Sequence, residues 1–507
     1  MSTLFKASLL LTIFFGINKI FALVRQTLIA QQFGFSAQID AFNVANNLPD
    51  MLFSLFSGGA LALAFIPVFT EHIHTHGRAS SWKLFSKIAN ILFVITIILS
   101  VVFALFAEAI VASKFGVSPG FTLVQQALVV ELMRINLIAM IIFSISGLVM
   151  ASLQAHKHFL LPAIAPIMYN IGLIIGVVFL SPTQGLQVGN FTLPAFGLGI
   201  YGLAYGTVLG ALLHLLIQVP GIIKHKFTWT AEFGFNDPGV HKVFRLMTPR
   251  IATVFLIQVT FLARDNMASH LQQGSVTALT YAYFILQVPE TLIGTAIATA
   301  LLPTLAELIT KNEHKEFAES IKRAFQVLIA TTVVISLIIG LLLPQLIDIV
   351  FDFDPKNTEL LVWTTRAYLV GLLAQCLLEV VTRAFYAKQN AITPLKATAV
   401  RVALFLTLSI AFIGTTGAIG LAFIDSITIT VEVAILCWML YKIYPAIFSI
   451  SHTIYRVMLG SAISVAVILA VMLIPLPPLI ILSLALLSGT IVYFLFVRQD
   501  LKILIKL

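Results

Sequence analysis

Fourteen apolar runs, each long enough to cross about 30 Å of hydrocarbon as a helix, follow one another along the 507 residues. They span approximately 5–33, 41–70, 86–112, 123–153, 159–181, 195–222, 245–272, 276–306, 322–350, 359–384, 391–413, 416–441, 454–475 and 478–497. Charged residues make up 10% of the chain, where soluble proteins average roughly 25%, and mean hydropathy is +1.03. The chain is therefore expected to be an all-α polytopic membrane protein with fourteen transmembrane helices. The first run leads into Asn18 and Lys19 rather than the small residues of a cleavage site, so it reads as a retained helix.

Basic residues orient these runs. With the N-terminus inside, the inner segments hold 21 lysines and arginines, from Lys6 through Arg78, Lys157, Lys224 and Arg383 to Lys506, while the outer ones hold Lys114 and Lys356. That asymmetry is the signature of cytoplasmic loops and places both termini in the cytoplasm. A net charge of +9 distributed in this way is topological and does not indicate nucleic acid.

The second half of the chain repeats the first. Asn43-Val-Ala-Asn-Asn47-Leu-Pro49-Asp50 returns as Tyr283-Phe-Ile-Leu-Gln287-Val-Pro289-Glu290, and Ile66-Pro67 with Glu71 returns as Leu302-Pro303 with Glu307. Ala155 and Pro162 match Ala387 and Pro394 at equal spacing, and Gly199-Ile-Tyr-Gly202 matches Gly417-Ala-Ile-Gly420. Six helices per repeat, an even number, give the halves one orientation and relate them by an axis along the membrane normal. The expected division is a six-helix lobe over 1–225, a pseudo-symmetric six-helix lobe over 226–445, and two extra helices with a cytoplasmic tail over 446–507.

Subtracting the 21 inner and two outer residues from the 30 basic ones leaves seven assigned to the spans: Lys19, Arg25, Arg134, Arg250, Arg264, Arg366 and Arg401. Each would cost about 2.5–3.5 kcal/mol at the centre of a lipid-facing helix, so each needs a polar reason to be there. Arg250 and Arg401 lie near span ends, where snorkelling to an interface is an alternative. In the first span Asn18, Arg25 and Gln32 share one stripe, with Lys19 and Gln26 beside it. In the second span Asn43, Asn46, Asn47, Asp50, Ser54 and Ser57 form a polar stripe, interrupted by Pro49 and by Gly58-Gly59. The eighth span repeats it with Thr280, Tyr283, Gln287, Glu290 and Gly294, and the seventh carries Gln258, Arg264 and Asp265. A buried interhelical seam is one use of such stripes. A shared hydrated cavity, cationic on its N-lobe side and suited to a phosphate or pyrophosphate, is the other. Pro49 and Pro289 each remove a backbone donor and mark the helices expected to deform.

Other chemistries find little support. No loop exceeds roughly 25 residues, too short for a folded catalytic domain, and there is no paired-carboxylate loop, nucleophile elbow or phosphate-cradling glycine motif. The chain is expected not to be an enzyme. His72-Ile-His74-Thr-His76 reads as a solvated loop rather than a metal site, and Cys376 and Cys437 lie in apolar runs without ligand spacing. No cofactor is expected.

The run Ile20-Phe-Ala-Leu-Val-Arg25, then Ala37-Gln-Ile-Asp40-Ala-Phe42, Leu48-Pro49, Gly59-Ala60, Ala64-Phe-Ile-Pro67 and Glu71, resembles the N-terminal signature of the MurJ (MviN) family of lipid II flippases. Gly274-Ser-Val-Thr-Ala, Tyr281-Ala, Pro289 and Leu302-Pro303-Thr-Leu resemble the same family's second repeat. The resemblance covers the whole chain and extends to the multidrug/oligosaccharidyl-lipid/polysaccharide exporter superfamily. It implies transport of undecaprenyl-pyrophosphate-linked disaccharide-pentapeptide from the inner to the outer leaflet of the bacterial cytoplasmic membrane, for peptidoglycan synthesis. It also implies that the two extra helices form a groove for the polyprenyl tail. Lys19 and Arg25 match basic cavity positions of the family and Asp40 an acidic one. The family's usual arginine pair in the second span is Phe53-Ser54 here, its usual glutamate before the glycine is Gly58, and its usual arginine in the eighth span is Phe284.

The expected substrate-binding set is Lys19, Arg25, Asp40, Asn43, Asn47, Asp50, Arg264 and Gln287. Expected partners are a lipid-linked anionic substrate and membrane lipids, with a monomeric chain that associates with cell-wall synthesis enzymes and couples to the membrane potential or a monovalent ion. A flippase for another lipid-linked oligosaccharide is an alternative. A drug/cation antiporter of the same superfamily is another; Asp40, Asp50, Glu290 and Asp425 would serve it as coupling groups, whereas the basic first span opposes a cationic drug.

Overall fold

A computed structural model describes residues 3–56, 59–185, 187–188, 191–351, 353–475 and 477–502. Ser57, Gly58 and Lys506 lie outside the described residues. The chain is helical almost throughout, apart from a small antiparallel hairpin pairing Gln187–Val188 with Phe191–Thr192. Among the described residues, twelve helical segments are long and apolar enough to cross a membrane. Two of the twelve exceed one crossing: Ala64–Leu105 turns at Gly77 and Ile392–Tyr441 turns at Gly417. At 1.5 Å per residue, an unbroken 50-residue helix would run about 75 Å, more than twice the hydrocarbon thickness.

The chain forms two compact units, Met1–Val276 and Thr277–Leu507. The packing boundary thus falls some fifty residues beyond the 225/226 division of the repeat, because the long helix of the seventh span packs with the helices before it.

In the first unit the helices are α1 (Thr3–Phe33), α2 (Ala37–Ala45), α3 (Asn47–Phe56), α4 (Gly59–Leu105), α5 (Ala107–Ala112), α6 (Leu123–Ala155), α7 (Leu160–Ile175), α8 (Ile200–Leu216), α9 (Val219–Lys224) and α10 (Pro238–Ala268). Helix α6 is the hub, packing against α4, α8, α2 and α3, while α7 lies between α1 and α8. The α7–α8 seam is built from Gly172 and Gly176 against Gly202, Gly206 and Gly210. A methyl group on Gly172 would stand 2.2 Å from Cα of Gly210, and one on Gly206 would stand 2.9 Å from Cα of Gly176. Without a hydrophobic drive between helices in lipid, such close backbone contact is what holds two of them together. An aromatic core around Phe65, Phe69, Trp82 and Phe85 closes the end of the unit where the basic loops lie.

The second span behaves differently from expectation. Its break falls at Asn46, between α2 and α3, where the Asn46 side chain donates to the Phe42 carbonyl at 2.9 Å. Pro49 sits in the first turn of α3, where a missing amide costs little. The 72–76 histidine segment is also not a loop. It is the helical end of α4 before Gly77, with the His72 and His76 rings stacked at 4.4 Å one turn apart. No group of three metal-ligating residues that could hold an ion is found among the described residues.

The second unit comprises α11 (Ser275–Pro289), α12 (Ala296–Thr310), α13 (His314–Val350), α14 (Pro355–Leu369), α15 (Leu372–Ala387), α16 (Ile392–Tyr441), α17 (Ser451–Met472) and α18 (Pro478–Leu501). Directly after Pro289 the chain widens into a π-helical turn, Glu290–Thr295, which accommodates the proline ring within a continuing helix. The last two helices pack on each other and on α13 through Ile338, Leu342, Val457, Ile468 and Val497, and the Tyr493 hydroxyl donates to the Ala330 carbonyl at 2.6 Å. Their remaining faces, with Tyr455, Met458, Leu487, Ile491 and Leu495, are exposed and apolar.

The matched motifs share backbone as well as sequence. Gly199 (φ 56°, ψ −134°) and Gly417 (φ 58°, ψ −151°) adopt one conformation that side chains disfavour. Lys157 (φ 60°) and Gln389 (φ 57°) hold the same place in the Ala155–Pro162 and Ala387–Pro394 turns.

Candidate substrate site in the first unit

Helix α1 carries its polar stripe toward α7. The Arg25 Nη1 donates to Asn170 Oδ1 at 2.9 Å, and Asn170 Nδ2 in turn donates to Asn18 Oδ1 at 2.8 Å. Asn170 also bonds the Pro166 carbonyl, which fixes the amide that faces the guanidinium. Lys19 is half-buried on the same helix.

A cavity of about 260 Å³ lies within this unit, walled by Asn46, Asp50, Phe53, Asn136, Phe143, Tyr169, Thr207 and His214 among others. Its polar atoms are few and fixed. Asn136 donates to Asn46 Oδ1 at 2.9 Å, and His214 Nδ1 meets Ser146 Oγ at 2.6 Å, with Gln218 bonded to that same hydroxyl at 2.9 Å. Arg25 acts electrostatically on both Asp50 and Tyr169. The result is a mainly apolar chamber with one carboxylate in its wall and a guanidinium within range.

The eight expected residues separate into groups. Asp50 lines the cavity and Arg25 lies near it. Asp40 is 1% exposed and accepts the Gly274 amide at 2.6 Å, tying α2 to the turn before α11. Asn43 is half-buried on α2. Asn47 donates to Asp265 Oδ2 at 3.1 Å, and Asp265 Oδ1 accepts from Arg264 Nε at 2.8 Å, so the Arg264 charge is balanced within a buried pair. Gln287 is an exposed residue of the second unit. At the positions of the family's usual arginines, Phe53 meets the Phe143 ring edge-on at 5.0 Å and Ser54 accepts from Gln258 at 2.9 Å.

Asn136, Tyr169, Asn170 and His214 escaped the sequence reading. Their signal is an uncharged polar residue among apolar neighbours, weaker than a charge or a stripe. For Arg401, where snorkelling is one alternative, the structure shows the other. Rather than snorkelling, it is buried between Asp425 at 3.1 Å and Glu432 at 3.4 Å, with Thr398 donating to Glu432 at 2.6 Å.

Fold and site together define a polytopic, all-helical membrane protein. A solved inward-facing multidrug resistance MATE family transporter of the MOP superfamily superposes with a TM-score of 0.70 at 12% identity, over 85% of this chain and 95% of that one. A solved lipid II flippase MurJ in an inward closed conformation superposes with a TM-score of 0.80 at 22% identity, over 98% of this chain and all of that one. The profile of the family described as lipid II flippase MurJ matches residues 29–495, and the chain belongs to this family. A curated relative, the lipid II flippase MurJ of Burkholderia cenocepacia, is 30% identical over 404 residues, 78% of this chain and 75% of that protein.

Proposed function

We propose that this chain is a flippase for lipid II, moving the anionic polyprenyl-pyrophosphate-linked saccharide from the inner to the outer leaflet of the bacterial cytoplasmic membrane by alternating access. Family membership supports the cargo. The observation that carries the reading on this chain's own residues is the Arg25–Asn170–Asn18 group beside the cavity. A guanidinium oriented by a neutral amide keeps the planar fork whose geometry suits phosphate oxygens. Lys19 adds a second cation on the same helix. The activity transfers a molecule between leaflets and makes or breaks no covalent bond.

In this reading the chain crosses the membrane fourteen times, with the two kinked helices contributing two crossings each and both termini in the cytoplasm. It works as a monomer, draws on the membrane potential or a monovalent ion, and associates with cell-wall synthesis enzymes. The exposed apolar faces of α17 and α18 suit the polyprenyl tail. The repeat pairs 1–225 with 226–445 as alternating lobes, and Asp40, Asn43, Asn47, Asp50, Arg264 and Gln287 complete the substrate-binding set with Lys19 and Arg25.

A second reading rests on Phe53, Ser54 and Phe284, which stand where the family's arginines are usual. Fewer cations suit a lipid-linked saccharide with a less charged head group. Complementation decides between the two: the chain should restore growth to cells depleted of their own lipid II flippase. Failure at normal membrane levels would point to the other cargo.

A further inference from the structure

At the end of the first unit where the basic loops lie, two turns bring three histidines together. His156 and His158 flank Lys157 in the turn between α6 and α7, and His225 caps α9. The His156 and His225 rings lie 4.4 Å apart, and the His158 and His225 rings 6.0 Å apart. Trp82 of α4 stacks on His156 at 5.2 Å and donates its indole N–H to the His225 carbonyl at 3.0 Å, so one side chain holds both turns.

The Nε2 atoms of all three rings are buried, and none meets a hydrogen-bonding partner among the described residues. His156 Nδ1 faces the Ser152 carbonyl at 2.9 Å, which assigns its proton to Nδ1 and leaves Nε2 as a bare lone pair. A neutral ring tolerates this position; a protonated one would bury an unpaired, charged N–H. The charged groups that act on the rings from the surrounding elements are Arg78 of α4 and Lys224 of α9, both cations, and no carboxylate is among them.

We propose that this histidine cluster is an acid-opened latch: neutral rings hold the α6–α7 turn, the end of α9 and Trp82 together, and protonation releases them. Burial, foremost, and the neighbouring cations hold all three rings below the ordinary histidine value. The closed state therefore binds fewer protons than the open one. Closure is complete at pH above the ordinary value of 6.5 and is lost as pH falls through the depressed values. The latch does not depend on the identity of the cargo.

The test is hydrogen–deuterium exchange of the full chain in nanodiscs at pH 7.5 and 5.5, corrected for intrinsic rates. Amides of residues 154–160 and 222–230 should lose protection at the lower pH, while those of 199–205 keep theirs. A His158→Phe, His225→Phe variant, which keeps His156, should lose clearly less protection at the lower pH than the natural chain. Unchanged protection in the natural chain overturns the latch, as does an equal loss in the variant. Should the variant not fold, imidazole NMR of the natural chain decides. The three rings should titrate below the ordinary value of 6.5, in step with the exchange; titration at or above it would refute the proposal.

Discussion

Two arginines within spans of this protein meet opposite surroundings. Arg401, in the second unit, is enclosed by Asp425 and Glu432, and all three side chains are less than 10% exposed. Arg25, in the first unit, is half-buried, bonds the neutral amide of Asn170 and stands near a cavity. The same residue type in the same solvent thus serves two ends. A guanidinium neutralised by two carboxylates is a structural fastener, whereas one oriented by an amide beside open volume can exchange partners. Charge within a membrane span is therefore not by itself a functional signal; the identity of its partners decides.

Removing each arginine should separate the two roles. Arg401→Ala strands two buried carboxylates, which typically costs about 3–5 kcal/mol, and should show as a lower melting temperature and reduced membrane levels. Wild-type melting would erase the contrast. Next in size, Gly172→Val drives a side chain into the Gly210 backbone of the α7–α8 seam, and overpacking of that kind costs about 1–3 kcal/mol, again read by melting. Asn170→Ala should cost only about 1 kcal/mol in stability, yet lower transport severalfold because Arg25 loses its orienting amide. A transport rate equal to that of the natural chain would show that the amide does not position the guanidinium.

The smallest effect belongs to an ion pair in the basic loops. Burial pushes the Asp237 carboxyl up, but the Lys87 ammonium at 2.9 Å and the Gly239 amide outweigh it and hold the group below its ordinary value of 3.8. Its stabilisation is present above that value and is lost as pH falls through the lower, folded one. Asp237→Asn should therefore lower stability by about 0–1 kcal/mol at pH 7, with a penalty that fades in acid; a constant penalty would assign the effect to packing.

Much of this arrangement is legible in the sequence. Long apolar runs reveal the helices, and the matched motifs locate Gly199 and Gly417, whose shared conformation only glycine adopts easily. The break of the second span is less legible. Pro49 suggests a lost hydrogen bond, but a proline in a first turn loses none, and the chain bends at Asn46 instead. Partners are the least legible feature. The adjacent Asp265 hints at how Arg264 is neutralised, but nothing local points to the amide partner of Arg25, 145 residues away. Nor does the spacing of His156, His158 and His225 foretell that two separate turns bring their rings together.

The central claim is that Arg25 and Lys19 hold the anionic head group. Its most direct measurement is lipid II flipping in proteoliposomes by the Lys19→Ala, Arg25→Ala double variant, with Arg25→Lys beside it, at matched protein levels. The account predicts normal folding with no flipping in the double variant, and impaired flipping in Arg25→Lys, because an ammonium cannot reproduce the bidentate fork. Full flipping by the double variant would contradict it.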